Sequence, residues 1–127
     1  MVKRPSKEHV ADSEKSAVIS KAVCRAAELW DISNQQLTGI LGLSPASVSR
    51  LRRKQFSLSK NTKEWELALL FLRAYRGLDA YMGGHYENEK SWLNAPNTAL
   101  NGTPIELIQS IEGLAHVVQY IDCVRGR

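Results

Sequence analysis

Residues 62–82 (TKEWELALLFLRAYRGLDAYM) are the longest apolar-patterned segment and constrain the fold most. The apolar residues repeat at helical spacing and fill two adjacent stripes of one helix. The first stripe contains Trp65, Ala68, Leu69, Leu72 and Tyr75, and the second contains Leu67, Leu70, Phe71, Ala74, Leu78 and Tyr81. A helix that is apolar over so much of its circumference must be covered on several sides. The segment therefore predicts a central core helix, or a core helix that also forms a homodimer interface.

The dimer interpretation assigns specific residues of this helix to the interface. Residues 61–85 would then be a long connecting and dimerisation helix, which the glycine pair Gly83-Gly84 ends. The residues expected at the dimer interface are Leu67, Leu70, Phe71, Tyr75 and Leu78.

Shorter helical patterns lie on both sides of this segment, and none alternates as a β-strand does. Residues 13–30 place apolar side chains on one helix face: Ile19, Ala22, Val23, Ala26 and Trp30. Thr103 to Glu106 has the form of a capping box, and its helix is expected to end near Gly113. A last helix carries one apolar stripe: Leu114, Val117, Val118, Ile121 and Val124. The sequence therefore predicts an all-α fold, preceded by a flexible arm over residues 1–12.

Residues 33–54 contain two short helical segments separated by a tight turn. Ser33 and Gln36 have the form of a capping box, and Gly42 ends the first helix. Ser44, followed by proline, is the expected N-cap of the second helix. The residues expected to seat both helices on the core are Leu37, Leu41, Val48 and Leu51. This is the layout of a helix-turn-helix.

The second of these helices presents basic and hydroxyl side chains, as a recognition helix needs in the major groove. The residues expected to face the bases are Ala46, Ser47, Ser49, Arg50 and Arg53. Arginine can bind guanine bidentately, and short hydroxyls can bind bases or phosphates. Those expected at backbone phosphates are Gln35, Gln36, Arg52 and Lys54, and Ser44 completes the DNA-binding set. A plain helical hairpin with a basic surface is the alternative.

The charge distribution also favours nucleic-acid binding in one half of the chain. Residues 1–60 hold 11 Lys/Arg against 5 Asp/Glu, whereas residues 61–127 hold 6 against 8. This asymmetry indicates a polyanion partner for the first half and a separate task for the second. No apolar run approaches the roughly 18 residues of a membrane span, and no signal peptide is visible. We therefore expect a cytoplasmic protein without membrane contact.

The residue pattern gives little support to catalysis or metal binding. His9, His85 and His116 are scattered and lack the spacing of a zinc or acid–base motif. The acidic residues interpreted as solvated or capping positions are Glu87, Glu89, Glu106 and Glu112. Cys24 and Cys123 fall in helical patterns and are interpreted as core thiols. We expect no enzyme and no cofactor, with catalysis at His85 as the weakest alternative.

Two motifs resemble one known family. The L-x-x-x-L-G-x-S…V-S-R-L skeleton of residues 37–51 is similar to the Xre/Cro-like helix-turn-helix, except that Thr38 replaces a usual small alanine. The segment W-L-N-A-P-N-x-A-L-N-G-x-P, which begins at Trp92 and leads to an apolar final helix, resembles the toxin-binding domain of Xre/MbcA/ParS antitoxins. The matching residues are Trp92, Leu93, Pro96, Asn97, Ala99, Leu100, Gly102, Pro104, Gly113 and Val117. Together the two motifs cover about residues 15–127 in the order of that family.

The resemblance implies a type II antitoxin, with a helix-turn-helix domain over residues 13–60 and a toxin-binding domain over residues 86–127. Such antitoxins block the active site of a RES-domain or related NAD-consuming toxin and repress their own operon. The residues expected at the toxin are Trp92, Asn97, Leu100, Asn101, Tyr120, Arg125 and Arg127. Because such motifs read two operator half-sites, we also expect a homodimer, and a hetero-oligomer with the toxin.

Three interpretations stay open at this point. Trp92 is an internal anchor or a toxin contact. Arg125 and Arg127 enter the toxin's cofactor pocket, or only compensate the dipole at a helix end. The functional alternative is a stand-alone transcriptional regulator whose C-terminal domain serves only oligomerisation.

Overall fold

A computed structural model describes residues 7–126 of the chain, with side chains from residue 11 onward. Within this range the chain forms seven helices and no β-strand. They are α1 (Lys7–Leu29), α2 (Asn34–Leu41), α3 (Pro45–Arg52), α4 (Lys63–Tyr81), α5 (Tyr86–Asn94), α6 (Pro104–Leu107) and α7 (Ile111–Gly126). None of these seven helices is long and apolar enough to cross a membrane. The prediction of an all-α fold is confirmed.

The capping signals of the two short N-terminal helices are also confirmed. Ser33 Oγ accepts a hydrogen bond from the Gln36 backbone N–H at 3.1 Å, and Gln36 Oε1 accepts one from the Ser33 N–H at 2.9 Å. The Thr38 hydroxyl donates to the Asn34 carbonyl oxygen at 3.0 Å, so this departure from the alanine pattern leaves no unpaired hydroxyl. Ser44 caps α3 just before its first-turn proline.

Helix α1 begins earlier than the sequence pattern indicates. It starts at Lys7, so residues 7–12 of the expected flexible arm are helical, and residues 1–6 lie outside the described residues. Lys60 Nζ binds Asp12 Oδ1 at 3.1 Å, which links this first part of α1 to the segment after α3. The two residues are 48 positions apart in the sequence, so a local periodic pattern cannot predict their contact.

Trp30, which follows α1, lies at the centre of the core and is 3% exposed. Its ring packs edge-on against Phe71 and Tyr75 of α4, with centroids 5.8 and 5.1 Å away. Its Nε1 donates to Oε1 of Glu89 on α5 at 2.9 Å. Glu89 is fully buried, so its interpretation as a solvated or capping residue is wrong. One tryptophan thus connects α1, α4 and α5.

Helix α4 is the central helix and packs against α1, α2, α5 and α7. Leu67, Phe71 and Leu78 are buried inside the chain, at 8%, 0% and 2% exposure. The predicted dimer interface is wrong at these three positions, because a side chain covered by its own core cannot contact a second copy. Leu70 and Tyr75 are half-buried, and their role in a dimer stays a prediction.

The C-terminal helices differ from the expected boundaries. Helix α6 ends at Leu107, and Thr103 makes no side-chain capping bond, so the second capping box is wrong. Gly113 is buried in the first turn of α7, where a Cβ would stand 2.0 Å from the Leu107 carbonyl oxygen. The glycine therefore ends no helix. It allows the start of α7 to cross directly over the end of α6.

The two cysteines occupy different environments. Cys24 is half-buried, and its thiol donates to the Leu51 carbonyl oxygen at 3.7 Å. Cys123 is exposed, on a side of α7 that turns away from the buried Ile121. Its interpretation as a core thiol is therefore wrong.

Substitution of Gly113 by alanine should destabilise the protein. The new methyl group would collide with main-chain atoms of Leu107, which cannot rotate away as a side chain can. We expect the free energy of unfolding to fall by about 1–3 kcal/mol in urea denaturation. The matched control is Gly126→Ala on the same helix, because nothing lies within 4 Å of a Cβ there. Equal stability of the two variants would contradict this account of Gly113.

The Glu89 carboxyl should make stability depend on pH. Its pKa is raised from 4.5 to about 7, chiefly by burial; the Trp30 hydrogen bond lowers the pKa, and the neighbouring Asp79 carboxyl raises it. Because this pKa is higher in the folded chain than in the unfolded one, the folded state holds more protons between those values. The free energy of unfolding should therefore decrease as pH rises from about 4.5 to about 7.

Glu89→Gln should flatten this pH dependence in urea titrations, because an amide keeps the acceptor for Trp30 and carries no charge. Glu87→Gln is the matched control on the same helix, since Glu87 is exposed and pairs with Lys90 at 2.9 Å. A pH profile that Glu89→Gln leaves unchanged would contradict the assignment.

Candidate DNA-binding and partner-binding surfaces

Helices α2 and α3 form the helix-turn-helix, and buried leucine and valine residues hold both on the core. Leu37 and Leu41 of α2 and Val48 of α3 are completely buried, and Leu51 is 2% exposed. The opposite face of α3 is consequently open to solvent. The residues found there and just after α3, each exposed or half-buried, are Ala46, Ser47, Ser49, Arg50, Arg53 and Lys54.

Hydrogen bonds organise the first turns of this exposed face. The Ser44 hydroxyl donates to Ser47 Oγ at 3.0 Å, and Arg50 Nη2 donates to the same oxygen at 3.5 Å. Arg53 and Lys54 lie at the other end of α3 and are exposed. The surface therefore combines hydroxyls and a guanidinium suited to base edges with cations suited to phosphates.

Arg52 is held by the protein itself. Its Nη1 donates to Asn34 Oδ1 at 2.9 Å, and its Nη2 donates to the Ile32 carbonyl oxygen at 2.6 Å. Both acceptors belong to the α1–α2 connection and the start of α2, so this guanidinium ties α3 to α2. Two of its five donors are engaged inside the chain, so Arg52 has a structural role, and its phosphate contact stays a prediction. Sequence analysis missed the role because the partners are 18 and 20 residues away.

The two glutamines at the start of α2 differ in whether their side chains already make hydrogen bonds within the chain. Gln35 is exposed, whereas Gln36 uses its Oε1 in the capping box and keeps its Nε2 donors. Both lie at a helix N-terminus, where the helix dipole favours a phosphate. Their phosphate contacts stay predictions.

The loop between α5 and α6 is closed by its own hydrogen bonds. Asn97 and Gly102 exchange two backbone hydrogen bonds of 2.9 and 3.2 Å, and Asn97 Oδ1 accepts from the Leu100 N–H at 3.1 Å. Leu100 is 2% exposed and belongs to the core, so its prediction as a toxin contact is wrong. Asn101 is exposed at the tip, with φ of 56°. The loop is therefore a platform of fixed shape.

Trp92 and Tyr120 form a stacked aromatic pair between α5 and α7. Their ring centroids are 6.3 Å apart, the rings are 14° from parallel, and both residues are half-buried. Trp92 is therefore an internal anchor that still exposes part of its surface. The structure thus brings two of the predicted toxin contacts together.

Arg125 is exposed in the last turn of α7, and Arg127 lies outside the described residues. At about 100° per residue, Arg125 and Tyr120 point about 140° apart around the helix. The two predicted toxin contacts on α7, Tyr120 and Arg125, therefore lie on different sides of this helix.

The two histidines whose side chains the structure describes lie apart from any candidate catalytic or metal-binding group. His85 and His116 are exposed, and the side chains that the structure describes include no group of three or more that could hold a metal ion. The carboxyls of Asp79 and Glu89 each have one buried oxygen without a hydrogen-bond partner among the described residues; Glu89 is fully buried and Asp79 is half-buried.

Comparison with protein-family models divides the chain in the same way. Residues 9–73 match the antitoxin Xre-like helix-turn-helix domain, and residues 78–127 match the antitoxin Xre/MbcA/ParS C-terminal toxin-binding domain. The boundary between the two matched segments falls within α4. No curated protein gives a significant match. The chain therefore belongs to the Xre-like antitoxins, with an N-terminal helix-turn-helix domain and a C-terminal toxin-binding domain.

Proposed function

We propose that this antitoxin neutralises a RES-domain or related NAD-consuming toxin by blocking its active site. The observation that carries the proposal is the ordered pair of domains, a DNA reader over residues 9–73 and a toxin-binding domain over residues 78–127. The loop that begins after Trp92 also supports it, through its resemblance to toxin-binding antitoxins. Its hydrogen bonds fix its shape before a partner binds, which reduces the entropy lost on binding. Both domain families are typically non-enzymatic.

The proposed toxin contacts are the aromatic pair and the end of α7. Trp92 and Tyr120 expose part of a stacked aromatic surface, which is a common anchor of protein interfaces. Arg125 is exposed in the last turn of α7 and Arg127 follows it in the sequence; we propose that their guanidinium groups enter the toxin's cofactor pocket.

The helix-turn-helix would bind the operator of the same operon as a homodimer. Two recognition helices one helical turn of DNA apart match a palindromic site, which is how such motifs commonly act. Since Leu67, Phe71 and Leu78 serve the core, the contacts between copies must use other residues. This function also places the protein in the cytoplasm, together with its DNA and its toxin.

Arg50→Ala should relax DNA specificity at one base pair of the operator. The side chain is exposed in the middle of α3, and a bidentate contact to guanine is worth about 1–3 kcal/mol. The measurement is binding to the DNA upstream of its own gene, with each base pair substituted in turn. Lys63→Ala on α4 is the control for loss of one charge, since Lys63 is exposed and lies outside the helix-turn-helix. If Arg50→Ala instead lowers the binding affinity equally for all DNA sequences, Arg50 contacts a backbone phosphate.

Deletion of residues 125–127 should abolish neutralisation and leave DNA binding intact. The full chain and the truncated chain would each be co-expressed with the product of the neighbouring gene, and growth and cellular NAD would be measured. The full chain should restore both, and the truncated chain neither. Neutralisation that survives the deletion would refute the role of the terminal arginines. Failure of the full chain to restore NAD would instead favour a stand-alone regulator.

A further inference from the structure

A cleft lined by arginines lies where α1, α4 and α7 meet. Its volume is about 510 Å³. Arg73 and Arg76 line it from α4, and Arg125 lines it from α7. Asp122 is the only carboxylate among its lining residues. Three arginines and one carboxylate thus line the same cleft, which is open to solvent.

Only one of these three arginines has an acidic partner in the described part of the chain. Arg73 Nη2 binds Asp122 Oδ2 at 2.5 Å. Arg76 and Arg125 form no ion pair with any side chain between residues 11 and 126. Two like charges on facing helices repel each other, and this repulsion is relieved when an anion lies between them. The uncompensated charge therefore indicates an anionic partner.

The close packing of α4 and α7 at Gly77 brings the stem of Arg125 onto α4. A Cβ at Gly77 would stand 2.7 Å from Ile121 Cγ2, so the glycine lets the Ile121 side chain of α7 pack directly against the α4 backbone. Arg125 Cδ lies 3.6 Å from the same position, which lays the stem of this side chain across α4. Arg76 precedes Gly77 in the chain, and both Arg76 and Arg125 line the cleft and are exposed to solvent. An anion that enters the cleft can therefore reach both side chains.

The remaining lining of the cleft is apolar. Ile19, Leu69 and Leu72 form this part, and Leu69 is 41% exposed although most leucines of α4 are buried. Arginine binds carboxylates bidentately, and an apolar floor beside it suits an apolar side chain next to those carboxylates. DNA backbone would satisfy the cations but would make no use of the leucines. An acidic peptide segment with apolar residues satisfies both.

We infer that this cleft binds an acidic, partly apolar segment of the toxin, so that the toxin-contacting surface extends from α7 onto α4. Arg76 is the diagnostic residue, since it lies in neither residues 9–73 nor residues 78–127 and belongs to neither matched domain. The identification of the partner as the toxin rests on the proposed function. The preference of the cleft for an acidic, partly apolar segment does not depend on the proposed function.

The first test measures toxin binding directly. The dissociation constant between the full chain and the purified product of the neighbouring gene should rise about 10-fold or more for Arg76→Glu and less for Arg76→Gln. Lys63→Glu is the matched control, because it changes an exposed cation on the same helix by the same charge and lies outside the cleft. Its dissociation constant should change less than about 2-fold. Tight toxin binding by Arg76→Glu would overturn the inference.

The second test separates this inference from the proposed function. A fluorescein-labelled peptide of sequence Leu-Glu-Glu-Leu-Glu-Glu should bind the full chain, and the version with glutamine for glutamate should not, as measured by fluorescence polarisation. Arg76→Glu and Arg125→Glu should each abolish this binding, whereas Lys63→Glu should retain it. If the toxin fails to bind but the peptide result holds, only the proposed function fails. Loss of DNA binding in Arg76→Glu, with peptide binding unchanged, would assign the cleft to DNA and overturn the inference.

Discussion

The hydrogen bond from the Trp30 indole to the buried Glu89 carboxyl is the interaction on which the arrangement of this chain depends. Trp30 belongs to the segment that matches the helix-turn-helix domain, and Glu89 belongs to the segment that matches the toxin-binding domain. Phe71 and Tyr75 of α4 surround the indole, so the bond lies at the junction of three helices. A buried carboxyl is costly unless it is bonded or protonated. The two matched segments therefore share one core that is sensitive to the charge of Glu89.

This shared core determines which surfaces remain for partners. Helix α4 uses Leu67, Phe71 and Leu78 to hold the chain together, which leaves the outward face of α3 for DNA. The aromatic pair Trp92–Tyr120 and the arginine cleft lie on different sides of α7. A toxin that reaches both would surround the last helix. Because α4 also carries Arg73 and Arg76, the central helix of the core also contributes to the proposed partner surface.

Local signals in the sequence were reliable where one short segment satisfies its own hydrogen bonds. The capping box of Ser33 and Gln36, the proline start after Ser44 and the inward face of α3 all follow from such signals, and each is confirmed. The errors occur where a distant segment supplies the partner. The sequence pattern predicts a solvated or capping role for Glu89, and the family resemblance implies a toxin contact for Leu100, whereas both are buried. Nothing within a few residues of either position indicates the core that covers it.

The sequence by itself determined the all-α class, the helix-turn-helix and the family, since these depend on helical periodicity, caps and motifs that are local or ordered along the chain. Only the tertiary structure decided the roles of Arg52, Gly113 and the arginine cleft. Arg52 finds its acceptors 18 and 20 residues away, and Gly113 is needed because α7 crosses the end of α6. The physical reason is that hydrogen bonds, close approaches and facing charges depend on distances in space, which sequence separation does not encode.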